Sequence, residues 1–289
     1  MIYYNIIMKA QIECLPCIYN QILRVSKIAT EDDLKIEKIL KLAARELSSA
    51  NLKMTPPELA QPLYELVSQI TGNEDPYRAI KKEHINKALE LYPELKKLIS
   101  SSKDPLLKSV EIAIVGNAID LGSKYDKVEI DFDKLAEGNF IPKDYEELKN
   151  KIRQVKEILF IGDNAGESVF DRCLIETLEE NDKIVKYVVK SKPIINDVTK
   201  EDAEDSRIKN IIESGSKFSG TVIYSLSNEF KNIIKNAKLI IAKGQANYET
   251  FSNENLPIFF LLKVKCEPIS RATGYPIGSF LVLKSKNSQ

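Results

Sequence analysis

Four apolar runs in the second half of the chain each end in a polar cluster. "EILFIGD" (157–163) closes on Asp163 and Asn164, and "KIVKYVVKS" (183–191) leads into Lys192, Asn196, Asp197 and Asp202. "KLIIAKG" (238–244) ends on Lys243, Gly244, Gln245 and Asn247, and "PIFFLLKVK" (257–265) on Lys265 and Glu267. Ligands of parallel sheets bind beyond the C-terminal ends of the strands, so these clusters are placed to meet. A fifth, "GNAID" (116–120), ends an apolar helical stretch; its Asn117 and Asp120, three apart, share one helix face.

The residue types suit a hard cation. Asp, Asn, Asp and water are oxygen donors that fit Mg²⁺ or Mn²⁺. A neutral Asn beside Asp limits the negative charge and leaves attraction for an anionic substrate, whose phosphate the lysines could hold. Gly166 and Gly244 permit close backbone approach, and a helix start near Gly166 offers free N–H groups. Each cluster alone has a plainer reading. Asp-Asn after a strand makes a turn, Asp197 an N-cap, Lys243 a solvated charge and "GNAID" a helix end. Their coincidence at the strand ends of one α/β region favours a site.

Other chemistries are poorly supplied. "GDNAGE" lacks the spacing of a dinucleotide loop, and no Gly-Lys-Ser/Thr phosphate loop exists. There is no G-x-S-x-G elbow, and the single histidine, His84, lies in a charged helical stretch, which argues against Ser-His-Asp or phosphohistidine chemistry. An aspartyl-phosphate route would want a second acid where the run reads Asp-Asn-Ala. "CLPC" (14–17) is half a zinc site, a redox pair or a packed pair in the first helix, and Cys266 could add a ligand. Four cysteines in 289 residues are no disulfide framework. Lys+Arg and Asp+Glu both number 42, which gives no global reason to expect nucleic acid or an anionic membrane as partner. With no apolar run of about 18 residues and no leader pattern, a cytoplasmic protein is expected.

The elements that must position these residues divide the chain. Its first third is helical: 31–48 with Thr30 as cap, 56–72 kinked or split at Pro62, 77–102 broken before Pro93, and 104–122 behind an Asp-Pro cap. The second half alternates strands (157–163, 183–191, 238–244, 257–265, 278–285) with helices (167–180, 228–237), the pattern of a mostly parallel sheet covered on both faces. The expected fold class is α/β. A helical N-terminal domain (1–125) packs on a second domain (126–289), with a soft boundary.

"ECLPC", "GNAID", "GDNAGESVFD", "KPIINDVT", "KGQANYE" and "KVKCEPI" occur in this order across nearly the whole chain. In this the chain resembles the damage-control phosphatases, a metal-dependent family once known only as a domain of unknown function, and its prokaryotic, cysteine-containing branch. The resemblance implies a Rossmann-like α/β/α domain behind the helical one, and hydrolysis of phosphate monoesters on small metabolites such as sugar phosphates or damaged phosphometabolites. It implies a divalent ion (Mg, Mn, Ni or Co) on Asp163, Asn164 and Asp197. Pocket residues fall on Asn117, Asp120 and Lys243, with Gly244, Gln245 and Asn247 in the same loop, and Glu167 matches the acid after Ala-Gly. The expected mechanism has the ion orienting the phosphate, Lys243 neutralising its oxygens, and a water attacking in line. Asp120 positions or deprotonates that water, with Asp163 as the rival base or as the nucleophile. The competing reading is a non-catalytic metal- or nucleotide-binding regulator with "CLPC" as its sensor.

Overall fold

The computed structural model describes residues 8–116 and 139–286. Five helices come first: α1 (Cys14–Ala29), α2 (Asp33–Ser48), α3 (Pro56–Thr71), α4 (Arg78–Ser101) and α5 (Pro105–Val115). After the undescribed stretch come β1 (Phe140–Ile141), α6 (Tyr145–Gln154), β2 (Glu157–Ile161), α7 (Ser168–Glu179) and β3 (Ile184–Val189). Then follow α8 (Lys200–Asp205), β4 (Ile211–Glu213), α9 (Asn228–Asn236), β5 (Ile240–Lys243), α10 (Gln245–Phe251), β6 (Ile258–Lys263), α11 (Glu267–Thr273) and β7 (Phe280–Lys284).

Local chemistry explains most helix ends. Asp104 caps α5 by accepting from the Leu107 amide, and a Thr55–Glu58 capping box opens α3, which closes on left-handed Gly72. The cap of α2 is Asp32 rather than the expected Thr30, because the Asp32 carboxylate reaches the amides of both Leu34 and Lys35. Neither internal proline breaks its helix. α3 runs through Pro62 and α4 through Pro93. Each lost backbone bond is tolerated because the following turn is anchored in the core, by Leu63 and Val67 in α3 and by Leu95 and Ile99 in α4.

The seven strands lie in the order β1-β7-β6-β5-β2-β3-β4. All neighbouring pairs are parallel except β6 with β7. Alternation along the strands covers both faces. Ile158, Phe160, Tyr187, Ile241 and Leu261 face one core, with α4 to α7 upon it. Leu159, Ile161, Ile240, Ala242 and Phe260 face the other, under α9 to α11. A third cluster joins α1, α2 and α3. Helices α4 and α5 thus share a core with the sheet, while α1–α3 have their own. The expected boundary at 125/126 lies outside the described residues.

From β2 the chain moves outward to β3 and β4, then returns to place β5 on the other side of β2. This reversal opens a crevice beyond the C-terminal ends of β2 and β5, the usual ligand position in such sheets.

Candidate active site

Backbone bonds, more than side chains, assemble the crevice. The segment after β3 folds back across the end of β2. Val198 N–H donates to Asp163 O (2.8 Å), Ala165 N–H to Asn196 O (2.8 Å) and Lys190 N–H to Val198 O (2.9 Å). Asn164 and Asp197 form an isolated antiparallel bridge. Asp163, Asn164 and Asp197, separated by more than thirty residues, therefore sit side by side. On the other flank Gly244 has φ 80°, and a Cβ there would run into the Asp163 carboxylate. Only glycine lets β5 and its loop close on this acid.

Two buried lysines face these acids from opposite neighbouring strands. Lys243, at the end of β5, is fully buried; its ammonium donates to Asp171 Oδ1 (2.5 Å) and Glu167 Oε2 (3.2 Å). Burial alone would lower its pKa, but Asp171 and Glu167 hold it above the usual range. Lys190, one residue past β3, donates to Gly220 O (2.5 Å) and lies 3.8 Å from Asp197 Oδ2. Burial lowers its pKa against the pull of Asp197 and Asp163.

The acids carry the opposite strain. Burial, then the charges of Glu167 and Asp197, push Asp163 well up from the normal carboxyl range. Burial raises Asp171 and Asp197 to about 6 despite their lysine partners. Asp163, Glu167, Asp171 and Asp197 are each at least 95% buried, and among the described residues only Lys190 and Lys243 are buried beside them. Four acids face two buried ammoniums, and with Lys265 acting on Asp163 and Lys81 on Asp197 as well, Asp163, Asp171 and Asp197 still stay above the ordinary carboxyl range. Asp197 Oδ2 is buried with no hydrogen-bond partner. These residues fit a divalent cation on Asp163, Asn164 and Asp197: two carboxylates and an amide, all oxygen donors, with charge still to be neutralised. Two acids and an amide are not a cluster of three His, Cys, Asp or Glu, and no such metal-binding cluster occurs among the described residues.

The other expected residues are placed as follows. Asn117 and Asp120 lie outside the described residues. Asn247 is fully buried and braces the crevice walls: its Nδ2 donates to Gly162 O (3.2 Å) and Lys243 O (2.7 Å), and Oδ1 accepts from Thr221 (2.8 Å). Gln245 turns toward α11, donating to Glu249 (2.9 Å) and Cys266 Sγ (3.5 Å) and accepting from Lys265 N–H. Asp202 caps α8 and pairs with Lys81 (2.9 Å). Lys192, Lys265 and Glu267 are exposed. Sequence reasoning missed Lys190, Asp171 and Tyr187, whose hydroxyl donates to Asp171 Oδ2 (2.9 Å). Asp171 was legible, since it stands four residues after Glu167 at the start of a helix. Lys190 ends the apolar run 183–190, one more strand-end lysine that the pattern passed over.

The fold and the charged crevice can be set beside known proteins. A family model described as the damage-control phosphatase ARMT1-like domain matches residues 10–280. The chain belongs to the damage-control phosphatase family. It is 33% identical to damage-control phosphatases of Pyrococcus horikoshii and Archaeoglobus fulgidus. The alignments cover 96% and 95% of this chain and 99% and 98% of those proteins. The crystal structure of a DUF89 family protein from P. horikoshii superposes with a TM-score of 0.89 at 32% identity, covering 96% of this chain and 99% of that one. Within this damage-control phosphatase the four cysteines are free thiols: Cys14 and Cys173 buried, Cys17 exposed, Cys266 between. No helix among the described residues is long and apolar enough to cross a membrane.

Proposed function

We propose that this damage-control phosphatase hydrolyses phosphate monoesters of small metabolites with a divalent cation held by Asp163, Asn164 and Asp197. One observation carries the reading: four buried acids set against only two buried lysines, with an Asp197 oxygen among them that accepts no hydrogen bond. When bound, such an ion would neutralise the acids and polarise a phosphoryl oxygen. The residues supply the rest. Lys243 spends two of its N–H groups on Asp171 and Glu167, which leaves a third for a phosphoryl oxygen. Its charge, held in a water-poor crevice, opposes the charge that shifts onto those oxygens as the bond breaks. Lys190 screens Asp197 from the other side. Asp120 is assigned to position the attacking water, and Asn117 to line the pocket. A cytoplasmic setting accords with four free thiols.

The experiment is hydrolysis of p-nitrophenyl phosphate by the purified chain, with EDTA and then with Mg²⁺, Mn²⁺, Ni²⁺ or Co²⁺. Turnover is expected only with metal, and Asp163→Ala should lower it at least about a hundredfold, since it removes a charged ligand. Turnover that ignores both EDTA and the substitution would defeat the metal reading. No turnover of any phosphate ester would return the chain to the class of binding regulators.

A further inference from the structure

We propose that Glu167 is a positioning residue that fixes the Asn164 amide, so that Asn164 offers its carbonyl oxygen to the cation. This rests on the metal reading above and goes further. The turn Ala165–Glu167 is a 3₁₀ turn in which Glu167 N–H donates to Asn164 O (3.1 Å), and it folds the Glu167 side chain back over Asn164. Asn164 Nδ2 donates to Glu167 Oε1 and, at 3.3 Å, to Asp163 Oδ2. The choice of atom is dictated by chemistry. Glu167 is ion-paired with Lys243 through Oε2, and a carboxylate so paired accepts hydrogen bonds at its other oxygen, so the amide atom facing Glu167 Oε1 is the NH₂ group. Both its hydrogens are then used, and Oδ1 is left as the atom for a cation.

A chain of buried contacts holds Glu167 to this task. Its second oxygen, Oε2, is paired with Lys243 (3.2 Å). Lys243 is held in turn by Asp171 (2.5 Å), and Asp171 by the Tyr187 hydroxyl (2.9 Å). Each carboxyl oxygen of Glu167 thus has a fixed partner, and the residue is 4% exposed. Among the substrate-binding residues that the resemblance implies, Glu167 is one whose two oxygens are both turned to protein groups, one of them the amide of a candidate metal ligand. Partners that orient metal ligands commonly matter ten- to a hundredfold in metal affinity. A glutamine in this place loses its hold on Lys243 and can present either end of its amide to Asn164.

The test is calorimetric titration of Mn²⁺, with no substrate present, into the full chain and its variants. Glu167→Gln should weaken binding about ten- to a hundredfold. Glu167→Asp, which keeps the charge but shortens the arm, should do likewise and stands in should the first variant fail to fold by circular dichroism. Asn164→Ser removes the amide whose orientation is at issue and keeps an uncharged oxygen donor. In that background Glu167→Gln should change affinity by less than about threefold, because the two residues act as one unit. Equal losses in both backgrounds would overturn the proposal. So would unchanged Mn²⁺ affinity with a raised KM for p-nitrophenyl phosphate, which would make Glu167 a substrate group. A wild-type chain that takes up no divalent ion would overturn the metal reading itself, a failure visible before any variant is made.

Discussion

Lys243 shows how burial changes the meaning of one side chain. A lysine after "LIIA" could be a solvated charge, yet here no part of it reaches solvent and two carboxylates grip its ammonium. Lys243→Met keeps the length and removes the charge. Turnover of the folded protein should fall roughly a hundredfold or more, the scale of losing about 3 kcal/mol of transition-state stabilisation. Stability should fall too, because Asp171 and Glu167 lose their counter-charge. Rates normalised to the folded fraction separate the effects. If normalised turnover stays within about threefold of wild type, Lys243 is a structural counter-ion and has no hand in catalysis.

Among the elements, α4 and α8 are coupled by charge as well as by packing. Lys81 of α4 is 2% exposed and pairs with Asp202 (2.9 Å) at the start of α8 and with Asp75 (3.1 Å) before α4. Asp202 also accepts from the Thr199 amide (2.9 Å) and hydroxyl (2.6 Å). The segment that carries Asp197 is therefore pinned to the N-terminal helices. Lys81→Met strands two largely buried carboxylates. The expected cost is about 3 kcal/mol in urea unfolding, since breaking a buried ion pair from one side leaves an uncompensated charge. A loss below about 0.5 kcal/mol would mean that this pair contributes as little as a surface one.

For the whole molecule, the buried acids set how stability follows pH. Glu249 of α10 lies outside the candidate metal ligands and clear of their contacts. Burial pushes its carboxyl up to about 7, against a hydrogen bond from Gln245 and the charge of Lys265. The unfolded chain releases this proton near pH 4.5 while the folded chain still holds it. Glu249 therefore lowers stability as pH rises from about 4.5 to about 7, and the penalty is constant above that range. Glu249→Gln keeps the shape and removes the penalty. Urea unfolding should find the variant more stable by up to about 3 kcal/mol at pH 8, with the gain vanishing near pH 4.5. A gain that is the same at both pH values would place its cause in packing.

The sequence by itself determined the α/β class, the main strands, the N-terminal helices and the helices after β2 and before β5, and it placed Asp163, Asn164, Lys243 and Gly244 at strand ends and Asp197 in the segment after β3. Those features are written in local periodicity and in the habit of parallel strands to end at ligands. The prolines misled, because a helix break is local whereas the packing that suppresses it is not. The short elements β1, β4, α8, α10 and α11 left too few residues for a period to register, and the ten-residue α6 was passed over in the stretch left open as the domain boundary. Only the tertiary structure decided which polar residues meet. Backbone bonds across the end of β2 set Asp197 beside Asn164, and the return to β5 brings Lys243 within reach of Glu167 and Asp171. It also revealed Lys190 and Asp171, and turned Asn247 from the crevice to the backbone around it. Burial and charge balance decide these roles, and both depend on neighbours distant in the chain.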